Sequence, residues 1–231
     1  MYIPFSYFNT SISSNIQLNY VGSTYSLTQA AAFTFPNMTL GTDGLYVLSI
    51  HAETQQTNRA ISTVKIGGAS GLTFSQAYQL TTALNSTSTI AGLYYLRQDN
   101  TTGALTGTLS VAFNNTQISR CFVGIYRINN NSSDIPYQGK TASAISGTGL
   151  SIGFTSLPTN SIIISAQTTG LDSVGAITWT NATSNYDLSL GTGTTRLSGA
   201  TSSVIGGGNL TISTSHANST QPIVLVGGAW R

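Results

Sequence analysis

The sequence predicts an all-β protein, an antiparallel two-sheet β-sandwich of jelly-roll type with a short N-terminal arm. Three observations predict it. Short runs rich in Val, Ile, Phe and Tyr recur along the 231 residues, separated by clusters of Gly, Ser, Thr and Asn. Many of these runs alternate apolar and polar residues with the period of two that a half-buried strand requires. No stretch keeps the periodicity of an amphipathic helix for more than about two turns. Composition agrees: 40% of residues are hydrophobic and 24 are Gly, while only 6% are charged, against roughly a quarter in an average soluble domain. Solubility must then come from hydroxyls and amides. With 11 Tyr and 8 Phe the chain is far from the profile of a disordered one.

The first charged side chain is Asp43. Ahead of it, Tyr2, Phe5, Tyr7 and Phe8 stud a segment that would be poorly soluble if left free, so residues 1–24 read as an arm that contacts a partner or a neighbouring subunit. The competing reading makes Tyr2 to Phe8 the first strand of the sheet. Residues 25–231 read as a single sandwich domain.

Within it, Phe33 and Phe35 alternate before Pro36 and Asn37 interrupt the ladder, since Pro has no N–H to give. "GLYVLSIHAE" follows a Thr-Asp-Gly turn, and its continuous apolar character suits a central strand covered on both faces. "STVKIGG" and "IAGLYYLRQ" are further strands. "GTLSVAFNNTQISRCFVGIYRI", residues 107–128, reads as a β-hairpin turning at "NNTQ", with Arg120 and Arg127 on opposite faces near the strand ends and their guanidinium groups in water. The polar stretch 129–149 reads as a crossing loop or a domain linker. "SIIISAQTT", "GAITWTN", "NLTISTSH" and "QPIVLVGGAW" complete eight to ten expected strands. Four runs, "LYVLSIHAE", "CFVGIYRI", "IIISAQTT" and "IVLVGGAW", share a weak similarity and read as inner strands.

Chemistry has little to work with. Glu53 is the only glutamate, and each aspartate reads as a turn residue, so a pair of catalytic carboxylates is not indicated. His51 and Glu53 share a strand face at i, i+2, a spacing that a metal site could use if His216 supplied a third ligand; the plainer reading is a satisfied strand-end histidine. Cys121 is the only cysteine, which excludes an intrachain disulfide and reads as a small buried side chain. "DIPYQGKT" places Asp134 where a phosphate loop needs its first glycine. Neither a cofactor nor a metal is expected, and the chain reads as no enzyme.

Scattered cations exclude a nucleic-acid footprint, and no apolar run reaches the length of a membrane helix. "MYIPFSYFNTS" lacks the form of a signal peptide, so synthesis in a cytoplasm is expected. Ten Asn-x-Ser/Thr sequons are read as turn chemistry. Trp179 and Tyr186 are the candidates for stacking on a host surface glycan, with a core role for Trp179 as the alternative.

The ordered segments "FTFPNMTLGTDGLYVLSIHAE", "AISTVKIGGASGLT", "STIAGLYYL", "GALTGTLSVAFNNTQISRCFVGIYRI", "AITWTNATSNYDLSL" and "PIVLVGGAW" resemble a family of bacteriophage and prophage virion structural proteins, over about residues 33–231. The resemblance implies a β-sandwich on the surface of a virion, with no catalytic residues to carry over. Two roles follow as expectations. The first is a capsid decoration, cement or head-fibre protein, oligomeric and in the favoured case trimeric, whose partners are other virion proteins. The second is a tail appendage that recognises host glycans.

Overall fold

The computed structural model describes residues 15–67, 71–99, 103–114, 117–170, 174–191, 195–217 and 219–231. The first half of the chain forms β1 (Gln17–Ser26), β2 (Ala32–Leu40), β3 (Gly44–Thr54), β4 (Ile61–Ile66), β5 (Leu72–Thr73), β6 (Ser75–Leu84), β7 (Thr87–Gln98), β8 (Leu105–Phe113) and β9 (Ile118–Asn129). The second half forms β10 (Gln138–Ala144), β11 (Ser151–Leu157), β12 (Ser161–Thr169), β13 (Thr178–Thr180), β14 (Thr183–Ser189), β15 (Arg196–Val204), β16 (Gly208–Ser215) and β17 (Ile223–Trp230). Among the described residues the strands fall into four sheets, and every strand pairing is antiparallel.

The first half makes one sheet in the order β1-β9-β3-β7-β6 and another in the order β2-β8-β4-β5. Thus β1 pairs with β9, β2 with β8, β3 with β7 and β4 with β5, the pairing of one long hairpin rolled over on itself, which is a jelly roll. The second half repeats it. β10 pairs with β17, β11 with β16 and β12 with β15, giving sheets β10-β17-β12-β15-β14 and β11-β16-β13. In each half one additional strand, β6 or β14, lies on the outer edge of the five-stranded sheet. The expected all-β jelly-roll sandwich is present, and its two-sheet layout occurs twice.

The two five-stranded sheets face each other. β3 lies over β12, β7 over β12 and β17, and β6 over β17 and β10, while Tyr20 of β1 meets Tyr186 of β14. That order corresponds to an approximate twofold axis between β3 and β12. Four layers therefore enclose three apolar cores. Leu48, Ile50 and Val123 face the first, Leu45, Val47, Phe122 and Ile164 the central one, and Ile163, Ile212 and Leu225 the third. β3, β9, β12 and β17 each send alternate residues into two cores, which is why their sequences read as continuous apolar runs. A strand covered on both faces cannot belong to two layers alone, and this accounts for seventeen strands among the described residues where a two-layer reading needs about eight to ten.

Several local expectations are corrected. Residues 107–128 are not a hairpin: β8 pairs with β2 and β4, β9 with β1 and β3, and the short link carries the chain from one sheet to the other. Alternation fixes which residues face the core but does not name the pairing partner. The segment expected as an arm is strand β1 from Gln17 onward, with Leu18 and Tyr20 packed on the central core. Tyr2, Phe5, Tyr7 and Phe8 lie outside the described residues. Pro36 sits in edge strand β2 at a bulge between Phe35 and Met38, where its missing N–H costs no ladder bond. The link 130–137 joins the two rolls and is tied down, with Arg97 Nε donating to Asp134 at 2.8 Å and Trp230 Nε1 to the Asp134 carbonyl at 3.1 Å. Cys121 is buried in the first core, as expected.

The turn reading of the sequons holds for some of them: Asn209 lies in strand β16 instead, Asn37 at the bulge of β2, and Asn9, Asn100 and Asn218 lie outside the described residues. Asn37, Asn85, Asn130 and Asn181 have φ of 58°, 54°, 60° and 63°. Asparagine tolerates this left-handed region better than other side chains do. Asn85 begins the tight link between β6 and β7, where Leu84 pairs with Thr87. Asn85→Ala is expected to cost about 1 kcal/mol and Asn85→Gly almost nothing, measured by urea unfolding. Equal losses in both variants would show that the side chain, not the backbone angle, holds the turn.

Candidate functional site

β3 carries Ser49, His51 and Glu53 at alternate positions, so all three side chains leave the same face, toward the second roll. Their surroundings are apolar, and each polar atom must find a partner there or pay for its lost hydration. They find it across the layer. His51 Nδ1 lies 2.8 Å from Thr168 Oγ1 on β12, and His51 Nε2 lies 2.7 Å from Tyr186 Oη on β14. Tyr186 Oη is also 2.6 Å from Ser49 Oγ.

Donor counting orders this chain. Thr168 donates its one hydroxyl hydrogen to the Ile90 carbonyl at 3.1 Å, so it accepts from His51 Nδ1–H. The neutral imidazole then accepts at Nε2 from Tyr186, so the short 2.6 Å contact is a donation from Ser49 to the Tyr186 oxygen, with the Gly124 carbonyl, 3.4 Å from Ser49 Oγ, as the weaker competing acceptor. Every member of the chain is buried, and burial lowers the His51 pKa from 6.5 to about 3, so the ring is neutral near pH 7. The Tyr186 phenol is pushed well above its ordinary range by the same desolvation.

The Tyr186 ring is held as firmly as its hydroxyl. It packs against Phe122 at 4.8 Å, Tyr20 at 5.6 Å and His51 at 5.7 Å between centroids. Room for it comes from two glycines. A Cβ on Gly199 would lie 2.3 Å from Tyr186 Cζ, and one on Gly124 would lie 2.7 Å from Cε1. A bulge between Ser184 and Tyr186 aims the ring inward. The first roll uses the same device at the opposite edge: a bulge between Gln76 and Tyr78 precedes Tyr78, whose ring occupies the space a Cβ on Gly139 of β10 would need, 1.8 Å away. "SQAY" and "TSNY" are thus the two copies of one bulged tyrosine motif.

Glu53 faces Arg120 across β9, with Arg120 Nε 3.2 Å from its carboxylate, and also accepts from the Thr195 hydroxyl. Arg120 further donates to the Leu190 carbonyl. Its guanidinium is therefore engaged beneath the surface rather than extended into water, because the second roll covers that end of β9. Asp187, expected in a turn, lies on β14 and pairs with Arg196, Nε to Oδ1 at 2.9 Å.

The arrangement orients rather than reacts. Ser49 reaches His51 only through Tyr186, and Glu53 is committed to Arg120 and Thr195, so the order a hydroxyl nucleophile needs, with base and orienting carboxylate in line, is not formed. His216 hydrogen-bonds the Ala217 carbonyl at the end of β16, apart from this cluster. Among the described residues no group of three His, Cys, Asp or Glu side chains stands close enough to hold a metal ion. His51 is a satisfied interior histidine, at mid-layer rather than at a strand end.

Of the residues singled out for glycan stacking, Tyr186 is 8% exposed and belongs to this network. Trp179 is half-buried on β13 against the third core, and its Nε1 donates to Ser198 Oγ at 2.8 Å. Sequence reasoning missed Ser49 and Thr168. The available signal was Ser49-x-His51-x-Glu53, a polar period of two inside an otherwise apolar run.

No helix among the described residues is long and apolar enough to cross a membrane. No protein-family model matches this chain, and no curated protein matches it. Among solved structures, the crystal structure of Cucumber Necrosis Virus is similar over 98% of this chain and 93% of its own, at 10% identity and a TM-score of 0.25. A conserved protein of unknown function from Pseudomonas aeruginosa PAO1 is similar over 94% and 98%, at 9% identity and 0.27. The structure of Melon necrotic spot virus is similar over 92% and 95%, at 8% identity and 0.26. Scores this low leave any functional reading to the residues of the chain itself.

Proposed function

We propose that this chain is a non-enzymatic structural protein of a virion, a capsid decoration, cement or head-fibre component of a bacteriophage that works as an oligomer, in the simplest case a trimer. The observation that carries the reading is where the reactive side chains are spent. His51, Glu53, Tyr186 and Cys121 are consumed inside the layers. What is left outside is mostly Ser, Thr and Asn, which can be buried against another protein with little desolvation of charge. The ordered resemblance to phage virion proteins supports the same reading.

Residues 1–14, with Tyr2, Phe5, Tyr7 and Phe8, are the proposed contact with the particle. The cut matters, because removing residues through 24 would delete most of β1 and uncover Tyr20 and the central core. A variant lacking residues 1–14 is expected to melt like the full chain and to stay in the supernatant when particles are sedimented. Sedimentation with particles at the full-length level would overturn the contact. The absence of the full-length chain from purified particles, read by mass spectrometry, would overturn the virion assignment itself.

A further inference from the structure

The central apolar core opens at one end into a groove between the two rolls. Its larger part, about 540 Å³, has Leu18 of β1 on one side and Thr183, Thr201 and Ser203 of β14 and β15 on the other. A second part of about 280 Å³ adjoins it through Ser203 and is walled by Ile16 and Ile205. The register says which way the hydroxyls point. Thr201 and Ser203 pair with Ile164 and Ile162 of β12, whose side chains enter the central core, so both hydroxyls leave the same face of the sheet and project into the gap. Thr183 stands beside Thr201 in the ladder. Among the described residues, these three hydroxyls have no hydrogen-bond partner within the chain. No charged residue lines either part.

We propose that this groove binds a neutral saccharide. Converging hydroxyls can both donate to and accept from sugar hydroxyls. The Ile16, Leu18 and Ile205 flank offers an apolar surface to the C–H face of a ring, and the joined volume has the size of a small-molecule site. An ionic ligand would lose hydration here without gaining a counter-charge. The site differs from Trp179 and Tyr186, and it does not depend on where in a particle the chain resides.

The test is saturation-transfer NMR on the full chain with maltotriose, cellotriose and triacetylchitotriose as neutral probes and N-acetylneuraminic acid as the anionic one. At least one neutral trisaccharide is expected to show transfer, and the acid none. Ser203→Tyr, at an exposed position, should fill the groove and abolish the signal while leaving the melting temperature unchanged. Should that variant fail to fold, Thr201→Val removes one hydroxyl at constant shape and should weaken binding about tenfold. Silence from all three neutral probes overturns the proposal, as does binding that survives the substitution or transfer to the acid alone. None of these outcomes bears on sedimentation with particles, so the two readings fail separately.

Discussion

Tyr186→Ala is expected to lower the unfolding free energy by about 4 kcal/mol, the range found for deleting a buried aromatic ring. The ring fills the space over Gly124 and Gly199 and packs on Phe122, so no neighbouring side chain can close the cavity without the backbone of two sheets moving. Its hydroxyl contributes separately. Tyr186→Phe keeps the ring but leaves His51 Nε2 and Ser49 Oγ without their shared partner, and is expected to cost about 2 kcal/mol. Urea unfolding at neutral pH reads both. A loss below about 1 kcal/mol for the alanine variant would mean that the two rolls are not held together at this point.

The second large effect is a loss of stability in acid. His51 titrates at about 3 in the folded chain and at 6.5 when exposed. Between those values the unfolded chain takes up a proton that the folded chain refuses, so stability falls as pH drops below 6.5, by roughly 1.4 kcal/mol per unit until about pH 3. Carboxylates in ion pairs add their own acid dependence, and a substitution separates the two. His51→Gln can donate to Thr168 and accept from Tyr186 without titrating. It is expected to be less stable than the parent at pH 7 and to lose less on acidification, so the two unfolding curves converge. A difference between parent and variant that stays constant from about pH 7 to pH 4 would show that His51 is not desolvated in solution.

Much of the fold is legible in the residues. Phe33 with Phe35 and Leu109 with Val111 carry the alternation of strands covered on one face, and each pair lies in the first core. The four apolar runs singled out as inner strands are β3, β9, β12 and β17, each of which serves two cores at once, as β7 also does with Ile90 and Tyr94 in the first core and Ala91 and Leu93 in the central one. The candidate site was half legible. Ser49, His51 and Glu53 can be placed on one face from spacing alone. Their partners Thr168 on β12, Tyr186 on β14 and Thr195 just ahead of β15 lie more than a hundred residues away, and nothing in a local pattern points to them.

The sequence by itself determined that the chain is built of antiparallel strands, which residues of each strand are buried, and that the reactive side chains are too few for an obvious catalytic set. These follow from local physics: a period of two, turn residues that accept a left-handed backbone, and the cost of exposing apolar surface. Only the tertiary structure decided that β8 and β9 belong to different sheets, that the jelly roll occurs twice, and that the two copies meet across a shared apolar layer with β3 over β12 and Tyr186 toward one edge. Strand pairing and sheet stacking join residues far apart in the chain, and many partners satisfy the same alternation equally well. The choice among them is made by the whole set of contacts at once, including glycines such as Gly124 and Gly199, which leave space for a ring that arrives from elsewhere.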